Sequence, residues 1–141
     1  MAVITIQIQG DRDSLQNSSD NFKKGCKQGL RKSGQIVKKR IVELIKNPPK
    51  TGRKYSNLPN RSSQAGEAPA FQSGKLARSA SYAVHRWDEM EVGVKEIYGL
   101  FLEKGTKKMK SRPFISTAAS QTFQTVKTAI NMHINQEIGA L

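Results

Sequence analysis

Residues 79–95 read SASYAVHRWDEMEVGVK, and the reading of this stretch decides the fold. Two runs, SASYAVHRW and EMEVGVK, carry apolar residues at alternate positions and are separated by the polar Asp88-Glu89. A period of two is that of a strand with one face buried, so the pair predicts a β-hairpin. Tyr82 and Val84 on the first arm and Met90, Val92 and Val94 on the second are expected to share the core face.

The same period recurs at the N-terminus. Ala2, Ile4, Ile6 and Ile8 alternate with Val3, Thr5, Gln7 and Gln9, and Gly10 ends the run, which predicts a third strand. Further on the period changes to that of a helix. Asp13 and Gln16 have capping-box spacing, and Phe22, Cys26, Leu30, Val37, Ile41 and Leu44, supported by Ile36 and Ile45, form an apolar stripe. A helix over roughly 14–46 follows, about 48 Å long at ~1.5 Å per residue, and Asn47-Pro48-Pro49 stops it.

Residues 98–102 are expected to form one short helical turn. From Phe114 a second stripe, Ile115, Ala119, Phe123, Val126, Ile130, Ile134 and Ile138, has helical spacing almost to the C-terminus. The expected fold is α+β: a small antiparallel sheet, made of the N-terminal strand and the hairpin, packed against a long N-terminal helix and a C-terminal helix. Residues 47–73 contain four prolines and two glycines without usable periodicity, and are expected to be a long flexible loop within a single domain, 1–141.

At 141 residues the chain is long enough to bury about 68% of its unfolded surface in one core. Cys26 is the sole cysteine, so no intramolecular disulfide forms, and no Cys/His cluster has zinc spacing. With no signal-peptide pattern at the N-terminus and no run of 18 apolar residues, a soluble chain made in the cytoplasm is expected, with no membrane partner.

The net charge is +13, and its distribution is uneven. Residues 1–50 carry 11 basic and 4 acidic groups, whereas 76–141 carry 9 and 6. On the long helix, Lys23, Lys24, Lys27, Arg31, Lys38, Lys39 and Lys46 fall off the apolar stripe. An ordinary solvated face explains such a run, and a phosphate-binding face is the sharper alternative, with Lys23, Lys24, Lys27, Arg31, Lys38 and Lys39 as DNA-facing candidates. No aromatics interleave with them, which argues against base stacking.

The inventory for catalysis is thin. His85 falls in a predicted strand and His133 beside a helical stripe, where structural histidines are the common case. Gly74-Lys75 is followed by Leu76 rather than Ser or Thr, so it is no Walker loop, and neither a G-x-S-x-G elbow nor an HExxH helix occurs. A non-enzymatic protein without cofactor or metal is expected.

Two blocks remain to be explained. One, residues 98–114, reads YGLFLEKGTKKMKSRPF and contains Tyr98, Phe101, Leu102, Glu103, Gly105, Thr106, Met109, Arg112, Pro113 and Phe114. The other contains Pro49, Thr51-Gly52-Arg53, Tyr55, the run from Ser62 through Gly66, Glu67 and Pro69 to Ala70, and Gly74-Lys75-Leu76-Ala77-Arg78-Ser79. In order and spacing the blocks resemble the tail-completion or head–tail joining (neck) proteins of long-tailed bacteriophages. They span about half the chain. Lys104 stands where an aromatic is common in that family, and Gln64 where a small residue is usual.

The resemblance implies a structural protein of the virion neck, made in the bacterial host cytoplasm, that assembles as a ring of six copies around the DNA channel. Its implied partners are a head-completion or stopper protein and a tail tube protein, with non-specific contact to DNA. Carried onto this chain, the subunit or partner interface comprises Arg53, Tyr55, Gly66, Glu67, Pro69, Glu103, Lys104, Gly105, Thr106, Lys107, Lys108, Met109, Lys110 and Arg112. Gly74, Leu76, Tyr98, Pro113 and Phe114 are structural.

Elementary chemistry supplies expectations for several of these. Gly105 permits positive φ at a sharp turn, Pro113 keeps Arg112 extended and suits the first turn of the last helix, and Phe114 anchors the core. Glu103 and Arg112 are expected to pair within the chain or across a ring contact. The central loop is expected to order against neighbouring subunits. The alternative function is a basic nucleic-acid-binding module acting through the helix lysines.

Overall fold

The computed structural model describes residues 2–9, 19–47 and 50–139. Its elements are β1 (Ala2–Gln7), α1 (Asp20–Lys46), α2 (Lys75–Arg78), β2 (Ala80–Arg86), β3 (Glu89–Val94), α3 (Tyr98–Lys104) and α4 (Ile115–Gly139). The three strands form one antiparallel sheet in the order β1-β3-β2. The fold is the expected α+β arrangement, with the sheet packed against α1 and α4.

Alternation sets the register. Across the sheet, Ile4, Val92 and Tyr82 stand in one row, and Ile6, Met90 and Val84 in the next. Met90, Val92 and Val94 are buried in the middle strand, and Tyr82 and Val84 pack against the same core. The hairpin turn lies at Trp87-Asp88, one residue earlier than the polar pair suggests, and a register irregularity between Val84 and Arg86 leaves His85 outside the pairing with β3. On the core face, Gly34 of α1 lies so close to the sheet that a Cβ there would stand 2.5 Å from the Tyr82 ring.

The first helix begins later than its apolar pattern predicts. Ser19 is extended (ψ 156°) and its hydroxyl accepts from the Phe22 N–H at 3.2 Å, so it caps a helix starting at Asp20 rather than near residue 14. The expected capping box at Asp13 and Gln16, the strand end at Gly10 and the Pro48-Pro49 stop lie outside the described residues. Within α1 the expected stripe is largely in the core: Cys26, Leu30, Val37, Ile41, Leu44 and Ile45 are buried. Burial, followed by the negative charge of Asp88, pushes the Cys26 thiol up to about 11.

The helices α1 and α4 run antiparallel, with Gly25 against Ile134, Gly29 against Ile130 and Arg40 Nε bonded to Gln121 at 2.7 Å. A Cβ on Gly25 or Gly29 would fall 2.7 Å from the Cα of Ile134 or Ile130, so this seam is a backbone-to-backbone approach. The buried face of α4 is accordingly made of small residues: Ala118, Thr122 and Ala129, with Ile115 and Val126. Phe123, expected in the core stripe, is 56% exposed, and Ile138 is also exposed. The buried face of α4 is thus rotated away from Phe123, towards Ala118, Thr122 and Val126. Ser33 and Thr122, the polar side chains beside it, donate to the carbonyls of Gly29 and Ala118, both at 2.7 Å.

Candidate functional site

The blocks at 51–79 and 98–114 meet where α1 ends and α4 begins. The Gly66 N–H donates to the Ser111 carbonyl at 3.0 Å. Tyr55, Ser63 and Phe71 from the first block and Tyr98, Leu102 and Arg112 from the second line a common cavity of about 420 Å³, open on one side and floored by Ile45 of α1.

From residue 50 to α2 the described chain has neither helix nor strand, yet its backbone is tied at several points. Gly66 adopts φ +86° and turns the chain so that the Glu67 carboxylate faces back. That carboxylate accepts from the Thr51 N–H at 3.2 Å, the Gln64 N–H at 3.0 Å and the Thr51 hydroxyl. The Thr51 hydroxyl and the Gln64 N–H hold the Glu67 carboxyl below the usual carboxylate value. Gln72 exchanges two bonds with the Asn60 backbone, at 3.0 and 2.9 Å, and Lys54 donates to the carbonyls of Leu58 and Pro59. Lys50 reaches the Leu44 carbonyl at 2.8 Å and so satisfies the end of α1; burial lowers its pKa, opposed by the charge of Glu67. Arg53 lies over the Tyr55 ring at 5.2 Å.

The Glu-Lys-Gly-Thr stretch has a definite local logic. Gly105 takes φ +80°, where a side chain would be strained and where a Cβ would meet Ser111 N at 2.8 Å. Thr106 closes the following turn: its N–H donates to the Met109 carbonyl at 2.7 Å, and its hydroxyl accepts from the N–H groups of Lys108 and Met109. Lys104, Lys107, Lys108 and Lys110 are exposed around that turn.

Within the chain Glu103 does not pair with Arg112, the first of the two expected arrangements. Its carboxylate caps α4 instead, accepting from the N–H groups of Phe114 (2.8 Å), Ile115 (2.9 Å) and Ser116 (3.0 Å) and from the Ser116 hydroxyl. A carboxylate across the positive end of a helix satisfies several orphan donors together and outcompetes a single guanidinium for the same oxygens. Burial pushes the Glu103 carboxyl up, but bonds from the Phe114 N–H, the Ser116 hydroxyl and the Ile115 N–H outweigh it and hold the group below its ordinary value. Pro113 also differs from expectation. It precedes the helix rather than sitting in its first turn, since Phe114 supplies the carbonyl that accepts from Ala118 N–H at 3.0 Å. Phe114 is fully buried, as expected of a core anchor.

Among the described residues no carboxylate pairs with Arg112. One terminal N–H points at Met109 Sδ, 2.9 Å away, and its buried Nε has no hydrogen-bond partner among the described residues. Tyr98 stands across the same cavity; burial, followed by the charge of Glu96, raises its phenol pKa and keeps it a donor at neutral pH. Gly74, at φ +80°, opens α2, and Leu76 is buried. Pro69 lines the cavity wall. Ile97, at the N-cap of α3, and Phe101 within it are exposed, at 70% and 49%.

The basic face of α1 is partly occupied. Lys23 lies over the Trp87 ring at 5.6 Å and Lys24 is 3.7 Å from Glu137. Lys27, Arg31, Lys38 and Lys39 are exposed, together with Lys32, which the stripe reading passed over. The histidines lie apart: His85 Nε2 is 3.2 Å from Glu91 across the hairpin, and His133 Nδ1 is 2.8 Å from the Ala129 carbonyl. Among the described residues no cluster of three or more metal-ligating side chains occurs, and no helix is long and apolar enough to cross a membrane.

No family model, curated protein or solved structure matches the chain.

Proposed function

We propose that the protein is a structural component of the neck of a tailed bacteriophage, completing the tail and joining it to the head as a ring of copies around the DNA channel. The observation that supports this reading is the convergence of the two family-like blocks. Separated in sequence by the hairpin, they share the Gly66–Ser111 hydrogen bond and one cavity. Their glycines and acids have specific jobs there: Gly66 and Glu67 close the loop, while Gly105, Thr106 and Glu103 shape the approach to α4. An end built in this way, with apolar residues of α3 and a lysine-rich turn beside it, suits attachment to a neighbouring protein.

In this reading the ring has six members, its neighbours are a head-completion or stopper protein and a tail tube protein, and the protein acts by binding rather than catalysis. Immunogold electron microscopy of purified virions tests it. Label at the head–tail junction, with separated heads and tails when the protein is missing, is the expected result; intact particles without label would refute it.

A second reading is favoured by the exposed Lys27, Arg31, Lys32, Lys38 and Lys39 on one helix, none of which has a carboxylate partner among the described residues. This is a nucleic-acid-binding module in which α1 lies along phosphates. Tight, salt-sensitive duplex binding by a monomer would favour it over the neck reading.

A further inference from the structure

We propose that the cavity at Arg112 is a docking socket for a protein segment that presents a carboxylate beside apolar side chains. Arg112 supplies the anchor. A guanidinium offers five N–H donors in a planar fork that matches a carboxylate. Here one donor faces a thioether, and the buried Nε–H faces nothing in the described chain. A buried donor without a partner is costly, and the natural intramolecular acceptor, Glu103, is consumed by the start of α4. The arrangement therefore keeps one strong donor set in reserve at the wall of a cavity.

The rest of the wall specifies the ligand further. Tyr55 and Tyr98 bring hydroxyls and aromatic faces, and Leu58, Phe71 and Leu102 bring apolar surface. A volume of about 420 Å³ holds a few side chains rather than a length of nucleic acid. Next in the chain to the lining residues Tyr98 and Leu102, Ile97 and Phe101 are exposed apolar side chains, and Lys104, Lys107 and Lys108 follow as exposed positive charge. A phosphate backbone would find more accessible charge along α1; the socket fits a short acidic and apolar segment. This chemistry goes beyond the neck assignment and stands without it.

The test is a titration of the isotopically labelled full chain, followed through the Arg112 Nε–H resonance. The probes are the peptide acetyl-Leu-Phe-Glu-Leu-amide, its counterpart with Gln in place of Glu, and a short DNA duplex. A saturable shift of the Arg112 signal with the Glu peptide is expected, with binding weaker by about tenfold for the Gln peptide. Arg112→Lys, which retains charge but loses the fork, should weaken the Glu peptide similarly. Because the wild-type resonance is itself the readout, an unfolded variant would not remove the test.

Equal binding of the two peptides, no shift at Arg112 with millimolar Glu peptide, or a shift caused by the duplex and not by the peptide would each overturn the proposal. Absence of the protein from the head–tail junction would remove the neck reading and leave the socket in place. A failed titration would do the reverse.

Discussion

Glu103 is the most informative single residue to perturb, because one carboxylate holds the start of α4 from eleven positions away. Removing it by Glu103→Ala strands the N–H groups of Phe114 and Ile115, both residues essentially fully buried. Loss of a helix cap costs about 0.5–2 kcal/mol, and a buried donor left unpaired costs about 1–3 kcal/mol. Since these overlap, about 2–4 kcal/mol is the expected loss for Ala. Glu103→Gln keeps a carbonyl oxygen but loses the charge, and should cost about 1–2 kcal/mol. Urea unfolding followed by the fluorescence of Trp87, the only tryptophan, measures both. The sign of the pH dependence follows from the depressed carboxyl pKa of the folded state. The wild-type advantage over Glu103→Gln should be fully present above the unfolded value near ~4.3 and lost as pH falls through the folded value. A Gln variant within ~0.5 kcal/mol of wild type at pH 7, or a gap that does not shrink on acidification, would refute the capping role.

Other substitutions examine separate parts of the structure. Gly29→Ala should destabilise by about 1–3 kcal/mol through overpacking against Ile130, although the same change normally stabilises a helix interior; a gain in urea midpoint would contradict the close seam. Phe123→Ser should change stability by less than ~0.5 kcal/mol, whereas Phe114→Ala should lose about 3–5 kcal/mol, and a reversed order by calorimetry would restore the unrotated stripe. Glu67→Ala should speed amide exchange at Thr51 and Gln64, the two N–H groups its carboxylate holds, with unchanged rates counting against the clamp. If α1 binds duplex DNA, log affinity should fall against log salt with a slope of about −0.9 per contacted phosphate, and Lys38→Ala with Lys39→Ala should flatten it.

How far the fold could be read in the sequence depends on how local each signal is. The strands and the body of α1 were readable because alternate burial and helical burial leave periods in the chain itself. The seam between α1 and α4 was not. Gly25, Gly29 and Ser33 carry no apolar signal, and their meaning arises only when Ile130 and Ile134 are brought against them. The rotation of α4 was equally hidden, since small residues such as Ala118 and Thr122 score below Phe123 on any hydrophobic scale yet take the buried face. The candidate site was readable as two unusual blocks, whereas the assignment of Glu103 to a helix terminus, in place of Arg112, required the turn at Gly105 to be known.

The distribution of charge links the site to the helices. Lys24 meets Glu137 at one end of the α1–α4 pair, while Arg40 meets Gln121 towards the other, where the cavity is floored by Ile45. The molecule is therefore polar along its length, with the Trp87 turn near the start of α1 and the socket near its end. Exposed lysines lie along α1, some 40 Å long at ~1.5 Å per residue, and a separate lysine group surrounds the Thr106 turn. The two groups differ in chemistry. Those on α1 are exposed along a helix flank, which suits a screened and salt-dependent contact, whereas the Thr106 turn adjoins apolar surface, which suits a contact that also excludes water. Salt should therefore weaken any DNA contact much more than any peptide contact at Arg112. A shared salt slope for the two would mean that they use one surface, and the division of labour between helix and socket would have to be abandoned.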